Sequence, residues 1–318
     1  MIRIYTNSEG GIVETDSPGP GTWTRITAPT DEELRTESER SGMDLSILTA
    51  ATDADEISRW EPYDEGTCMI VDIPYMRDDG QFDTLPLAMI ITRDRIITVC
   101  RISSGIQEHF IETNKNLDLD DRYGFIIRLL FTISKTYQQD LREINLRRKN
   151  IEEKIDDGVD DKDIVAVHKL ENSLVYFVTS LKGCNIVLDL IKRNSEEKLS
   201  KQNKELLRNV VIENQQAIEM ASIYREVMNS TSGMLSSIMG NRLNSTIRWL
   251  TVITFLLSIP MIVSGVYGMN IDLPGQNAGS AFIWLMTGII LICLGTGVWL
   301  KNDQQMKTCA FVLDRVLF

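Results

Sequence analysis

The sequence predicts an α/β domain followed by long helices and two C-terminal membrane helices, and three observations carry that prediction. Short β-branched runs bounded by Gly, Pro or Asp crowd residues 1–115. Apolar residues at steps of 3 and 4 then fill two long stretches and enter a third. From Trp249 to Met269, and again from Ala281 to Leu300, charge vanishes over a length that matches roughly 30 Å of hydrocarbon at about 1.5 Å per helical residue.

Within residues 1–115 the strand candidates are Ile2–Thr6, Gly11–Glu14, Thr22–Ile26, Thr67–Ile73, Leu85–Ile91 and Ile96–Arg101. Thr30 and Glu33 have the spacing of a capping box and start a helix, and a second helix is expected over Asp44–Thr52. Arg77–Gly80 and Arg93–Arg95 read as turns between strands.

Residues 116–200 read as a helical hairpin. Its first arm, Tyr123–Ile155, places Phe125, Leu129, Ile133, Tyr137, Leu141 and Ile144 on one face. Its second, Ile164–Leu199, does the same with Val167, Leu170, Leu174, Phe177, Leu181 and, after one five-residue step, Ile186. Between them, Asp156–Asp163 holds five carboxylates in eight residues, a solvated tip or a loose cation trap; the spacing and closing Glu of a calcium loop are absent.

From Lys201 no proline appears before Pro260, so one helix is expected to supply a stalk, 201–248, and continue into the first membrane helix, 249–270. A polar rod of this length needs partners, and Leu206, Val210, Ile218, Ile223, Val227, Met234, Ile238 and Leu243 offer a seam for bundling around an axis. An external loop, 271–280, a second membrane helix, 281–300, and a tail, 301–318, complete the chain. Arg242 and Arg248 precede the first span and Lys301, Lys307 and Arg315 follow the second, whereas the loop has no Lys or Arg. The positive-inside rule then puts both termini in the cytoplasm, in a cell membrane protein crossing the bilayer twice.

Composition narrows the function. A net charge of −12 disfavours nucleic acid, because no Lys/Arg cluster exists to neutralise phosphates. Five scattered cysteines without a Cys-x-x-Cys pair encode neither a disulfide framework nor a zinc site. Met1–Tyr5 lacks the profile of a signal peptide and reads as a strand, so the large domain is expected in the cytoplasm. With two histidines, no Gly-x-Gly-x-x-Gly and no Gly-x-Ser-x-Gly, the chain is not expected to be an enzyme, to bind a nucleotide or to carry an organic cofactor.

The first span carries a stripe. Asn244, Thr251, Thr254, Ser258, Gly265 and Gly268, with Ile247 and Met261 filling the gaps, follow steps of 3 and 4. A narrow face of small, mildly polar residues suits either close helix packing or the lining of a watery passage. The stripe ends at Tyr267-Gly268-Met269-Asn270, ahead of Asp272 and the second apolar run.

A Tyr-Gly-Met-Asn closing the first of two terminal spans, behind a long soluble region, resembles the CorA family of divalent-cation channels. The resemblance is sharp over about 241–300 and diffuse before it. It implies a funnel-shaped homopentamer in the lipid bilayer that passes hydrated Mg²⁺, or also Co²⁺ and Ni²⁺, down the membrane potential. It implies a selectivity filter at Gly268, Met269 and Asn270, in which the Asn270 amide meets the ion through its waters. Asn244, Ile247, Leu250, Thr251, Thr254, Ser258, Met261 and Gly265 would line the passage, with Ile247 and Leu250 able to close it by dewetting.

Two features depart from the family pattern. Asp272 is the only carboxylate of the outer loop, where members often have more. Counting back from Asn270, the two positions at which members bridge subunits through a regulatory Mg²⁺ fall on Asn209 and near Ala50 and Ala51, none of them acidic. Asp53, Asp55 and Glu56 on one side and Glu213 or Glu219 on the other are the substitutes. A zinc transporter of the same superfamily is an alternative, against which Met269 is intact; a membrane-tethered sensor or scaffold without flux is another.

Overall fold

The computed structural model describes residues 1–8, 11–64, 66–114, 117–154, 160–269 and 279–302. The chain divides into two compact units, Met1–Gly233 and a second that begins at Met234.

The first unit is built on a seven-stranded sheet in the order β2-β1-β3-β7-β6-β5-β4. Its strands are β1 (Ile2–Ser8), β2 (Gly11–Thr15), β3 (Thr22–Thr27), β4 (Arg59–Tyr63), β5 (Gly66–Met76), β6 (Phe82–Thr92) and β7 (Ile96–Cys100). Every neighbouring pair is antiparallel except β3 with β7. That parallel pair needs a crossover, and α1 (Asp31–Ser41), α2 (Leu45–Ala50) and the β4–β6 meander provide it.

Local chemistry sets the boundaries. Thr30 Oγ1 accepts from Glu33 N at 3.2 Å and Glu33 Oε2 accepts from Thr30 N at 2.9 Å, so the expected capping box starts α1. Gly42, with φ of 71°, ends it in the left-handed region that glycine enters without strain. Ile26, Ile70, Ala88, Ile90, Ile97 and Val99 meet Leu34 of α1, Met43 of the turn after it, and Ile47 and Leu48 of α2 in one core. On β3's other face, Trp23 packs against Phe110 of α3 (Ile106–Thr113) and Phe125 of α4 (Arg122–Glu153).

The hairpin of α4 and α5 (Asp161–Asn194) lies across the far ends of β5 and β6. Tyr137 Oη donates to the Asp72 carbonyl at 3.1 Å, Ser180 Oγ to Asp72 Oδ2 at 2.7 Å and Ser173 Oγ to the Phe82 carbonyl at 2.6 Å. The apolar face expected on α4 is buried throughout. On α5, Ile186 is 57% exposed and Cys184, Leu188 and Ile191 are buried. The seam keeps its 3–4 rhythm by taking a small cysteine, which removes the five-residue step.

α6 runs from Lys201 to Tyr267 and α7 from Ala281 to Asn302. Within the first unit, α6 buries Asn203, Leu207, Val210, Asn214, Ala217, Ala221, Met228 and Thr231. Of the seam expected from hydrophobicity, Val210 alone is buried, and Ile223 and Leu243 are about three-fifths exposed at 58% and 61%. The contacts use polar anchors instead. Asn203 Nδ2 donates to both carboxylate oxygens of Asp121, the cap of α4, and Asn214 Nδ2 donates to the Leu181 carbonyl of α5 at 3.1 Å.

α6 is long and apolar enough to cross a bilayer, and α7 carries a shorter apolar stretch, Phe282–Thr296. The most apolar window of α6 has none of its residues buried, and Phe282, Ile283, Trp284 and Leu291 of α7 are exposed. α5 is also long and apolar enough to cross a bilayer, but half of its window is buried in the first unit. Contiguous apolar exposure on α6 and α7 is unfavourable in water and favourable in lipid.

Candidate functional site

Asn244, Ile247, Leu250, Thr251, Thr254, Met261 and Gly265 are exposed on α6, and Ser258 is half-buried. Leu250, Thr251, Thr254, Phe255 and Ser258 line a shallow groove, so the structure gathers the middle of the expected stripe on one face.

The hydroxyls of that groove share one arrangement. Thr251 Oγ1 donates to the Ile247 carbonyl at 2.8 Å, Thr254 Oγ1 to Leu250 at 2.7 Å and Ser258 Oγ to Phe255 at 2.7 Å. Each O–H is thereby consumed inside the helix, which lets the residue sit in lipid or against another helix. What each oxygen still presents is lone pairs, the groups that water bound to a cation seeks. α6 ends at Tyr267. Gly268 N donates to the Ser264 carbonyl at 2.9 Å and Met269 N to Val266 at 3.3 Å, and a Cβ on Gly268 would stand 3.1 Å from the Ser264 oxygen. A side chain would crowd that final carbonyl.

Asn270 and Asp272 lie outside the described residues, as do residues 271–278 of the expected loop, Asp156 and Asp157 of the hairpin tip and residues 303–318.

The same count continues N-terminally of Asn244. Ser230, Gly233, Ser237 and Gly240 precede Asn244 at steps of 3, 4, 3 and 4, and all four are exposed. Hydrophobicity is silent at such residues; the unbroken 3–4 count is the signal that finds them.

The substitute regulatory carboxylates do not gather. Ala50 and Ala51 are buried in the α1–α2 core. Asp53 and Asp55 are exposed, and Asp53 Oδ1 accepts from the Asp55 amide at 3.0 Å. Glu56 is paired with Arg59, which also meets Glu61 at 3.1 Å. Glu213 Oε2 is 2.6 Å from Lys135 Nζ and 2.8 Å from Gln138 Nε2, while Glu219 is exposed. Glu56 and Glu213 thus already have cationic partners, and among the described residues no three His, Cys, Asp or Glu side chains converge. Cys68, Cys100 and Cys184 are free and buried.

With this geometry in place, three comparisons bear on it. A family model described as CorA-like Mg²⁺ transporter protein matches residues 20–302. The cobalt/magnesium transport protein CorA of Methanocaldococcus jannaschii is 28% identical over 278 residues, 86% of this chain and 87% of that protein. The complete structure of the CorA magnesium transporter from the same organism superposes with a TM-score of 0.77 at 25% identity, covering 95% of this chain and 98% of that one. The cytoplasmic domain of ZntB from Vibrio parahaemolyticus shares the fold at 12% identity, with a TM-score of 0.60 over 76% of this chain and 98% of its own.

Proposed function

The chain belongs to the CorA-like Mg²⁺ transporter family, and from that premise we propose that it is a homopentameric channel for passive uptake of hydrated Mg²⁺. The observation that carries this reading is the stripe on α6, whose hydroxyl oxygens offer acceptors at steps of 3 and 4 on an exposed face. In a ring of subunits each such residue becomes a ring of acceptors around a common axis. A membrane anchor gains nothing from them.

Mg²⁺ holds its six waters in a near-ideal octahedron and releases them reluctantly, so rapid passage favours contact through water. A collar of Asn270 amides at the outer mouth selects the hydrated ion, Gly268 keeps the helix end free of side chains, and Met269 packs the loop. Thr251, Thr254 and Ser258 then hand the hydrated ion along rings of hydroxyl oxygen. Asn244, Met261 and Gly265 line the rest, and the apolar rings of Ile247 and Leu250 close the passage by dewetting. With both termini cytoplasmic, Asp272 is the one carboxylate per subunit that draws cations to the mouth. A potential of 100 mV, inside negative, contributes about 4.6 kcal/mol for a divalent ion, equivalent to more than a thousandfold gradient. No nucleotide is needed.

A zinc transporter is the second reading, which the shared fold of the ZntB domain leaves open. Flux into liposomes, read with Mg²⁺- and Zn²⁺-sensitive dyes, separates the two. The channel reading expects Mg²⁺ entry that rises with inside-negative potential. Zinc entry without magnesium entry would favour the alternative, and no entry of either would leave a tethered scaffold.

A further inference from the structure

We infer that a cavity between β1, β3 and α3, far in sequence from the spans, binds phosphate. Arg3 and Arg25 stand directly opposite one another in the antiparallel β1–β3 pair. Like charges in that relationship destabilise a sheet. Arg25 is about 95% buried, with 5% of its side chain exposed; its Nε donates to Gln107 Oε1 at 2.8 Å and its Nη2 to Glu108 Oε1. Its Nη1 makes no hydrogen bond among the described residues, and Arg3, whose main electrostatic partner is the Tyr5 hydroxyl, with Glu14 and Glu108 acting at longer range, makes no ion pair among them.

Both arginines line a cavity of about 320 Å³ with Thr27, Ala28, Ser103 and Glu108. Two buried oxygens in that wall, Thr27 Oγ1 and Glu108 Oε2, have no partner. Burial works against ionisation of Glu108, but the hydrogen bond from Arg25 holds its carboxyl below the usual range, so Oε2 is an acceptor in want of a donor. Ala28 adopts a φ of 47° beside it, a strained conformation for a residue with a Cβ.

The wall therefore asks for opposite things from one ligand. Two guanidinium groups require an anion with several acceptors, and an orphan carboxylate oxygen requires a hydroxyl that donates. Phosphate retains a proton through the neutral range and satisfies both. Sulfate and a carboxylate are fully ionised there and leave Glu108 Oε2 facing another negative oxygen. Neither the overall charge of −12 nor the transport reading supplies this preference, and it stands whether or not the chain conducts ions.

Calorimetric titration of the full chain in detergent, with divalent ions chelated and ionic strength matched, tests the inference. Inorganic phosphate is expected to bind saturably, with sulfate at least tenfold weaker. Arg3→Ala, at an exposed side chain that does not threaten folding, should weaken phosphate at least tenfold, and Glu108→Gln should narrow the phosphate-to-sulfate ratio. Adenosine monophosphate identifies the source: binding tighter than free phosphate at pH 6 that fades at pH 8, as the ester loses its proton, points to a phosphate ester, and its exclusion to free phosphate. No saturable phosphate heat, equal affinity for sulfate, or an unchanged affinity in Arg3→Ala would overturn the site.

Discussion

Lys135 Nζ lies 2.6 Å from Glu213 Oε2, an ion pair that fastens α6 to α4. Gln138, one turn along α4, donates to the same oxygen at 2.8 Å and to the Glu213 carbonyl at 3.0 Å. The Lys135 hydrogen bond leads the interactions that hold the Glu213 carboxyl below its usual range. A carboxyl lowered in the folded state stabilises the fold above its unfolded value, and that contribution is lost as pH falls through the folded value. Lys135→Met is thus expected to cost about 0.5–1 kcal/mol at neutral pH, the scale of a partly exposed pair. The cost should shrink as pH drops below about 4.3. Thermal midpoints of the full chain in detergent at both pH values measure it, and an equal loss at both would assign the effect to packing.

Glu37 and Arg95 behave differently, because their side chains are 0% and 7% exposed. Arg95 Nη1 stands 3.6 Å from Glu37 Oε1, and neither Glu37 oxygen has a hydrogen bond. Burial raises the Glu37 pKa, opposed by Arg95 and Arg40. Arg95→Met leaves the buried carboxylate with only the half-exposed Arg40, 3.8 Å away, a loss of about 3 kcal/mol. A raised carboxyl pKa makes the penalty largest above the folded value and relieves it as pH falls, so Arg95→Met should recover stability towards pH 5. Glu37→Leu with Arg95→Met should regain most of the loss at neutral pH. A double variant no better than the single one would contradict the buried-charge explanation.

Glycine is required where two backbones nearly touch. A Cβ on Gly66 would meet the Ile91 carbonyl oxygen at 2.0 Å across the β5–β6 pair, and neither strand can yield without breaking the ladder. On Gly183 it would meet Ser58 Oγ at 2.7 Å and Ser58 Cβ at 2.9 Å; the hydroxyl can turn away, and the Cβ yields only by a small shift of its loop. Gly66→Ala is expected to cost more than about 3 kcal/mol and Gly183→Ala about 1–2 kcal/mol. Melting of the two purified variants gives the order, and a reversed order would show that the strands give more easily than the side chain.

The stripe hydroxyls offer a test of chemistry at constant shape. Thr254→Val keeps the volume and removes the acceptor oxygen, and should lower Mg²⁺ flux about tenfold, a barrier change of about 1.4 kcal/mol. Thr254→Ser should retain it. Thr287 on α7 also back-bonds, to the Ile283 carbonyl at 2.7 Å, but belongs to no stripe, so Thr287→Val should leave flux unchanged. Equal flux in the Thr254→Val and wild-type proteins would remove the hydroxyl rings from the mechanism.

The parts of the fold legible in the sequence were those whose signal is hydrophobic and local. The long seam of α4 from Phe125 to Ile144 was visible because packing buries every residue of it. β4 escaped notice because Arg59, Glu61 and Pro62 are typical of a guarded sheet edge, and only pairing with β5 makes the run a strand. α3 escaped because it is short and begins at Gly105, with no side-chain cap hydrogen bond to announce it. On α6 the buried face mixes Leu207, Val210 and Met228 with Asn203, Asn214, Ala217 and Ala221, and a search for large apolar residues alone passes over the small and polar members that set its register. The candidate stripe stands out in the sequence for the opposite reason: small polar residues are unexpected in a long apolar helix unless a partner or water needs them.

The most direct measurement is Mg²⁺ entry into liposomes holding the purified chain, as a function of imposed potential, for the wild type, Asn270→Ala and Phe282→Ala. Phe282 is 74% exposed on α7 and serves as the lipid-facing control. The account predicts voltage-driven entry in the wild type and in Phe282→Ala, and loss of most of it in Asn270→Ala. Full, voltage-dependent entry in Asn270→Ala would contradict the claim that a ring of amide side chains selects the hydrated ion.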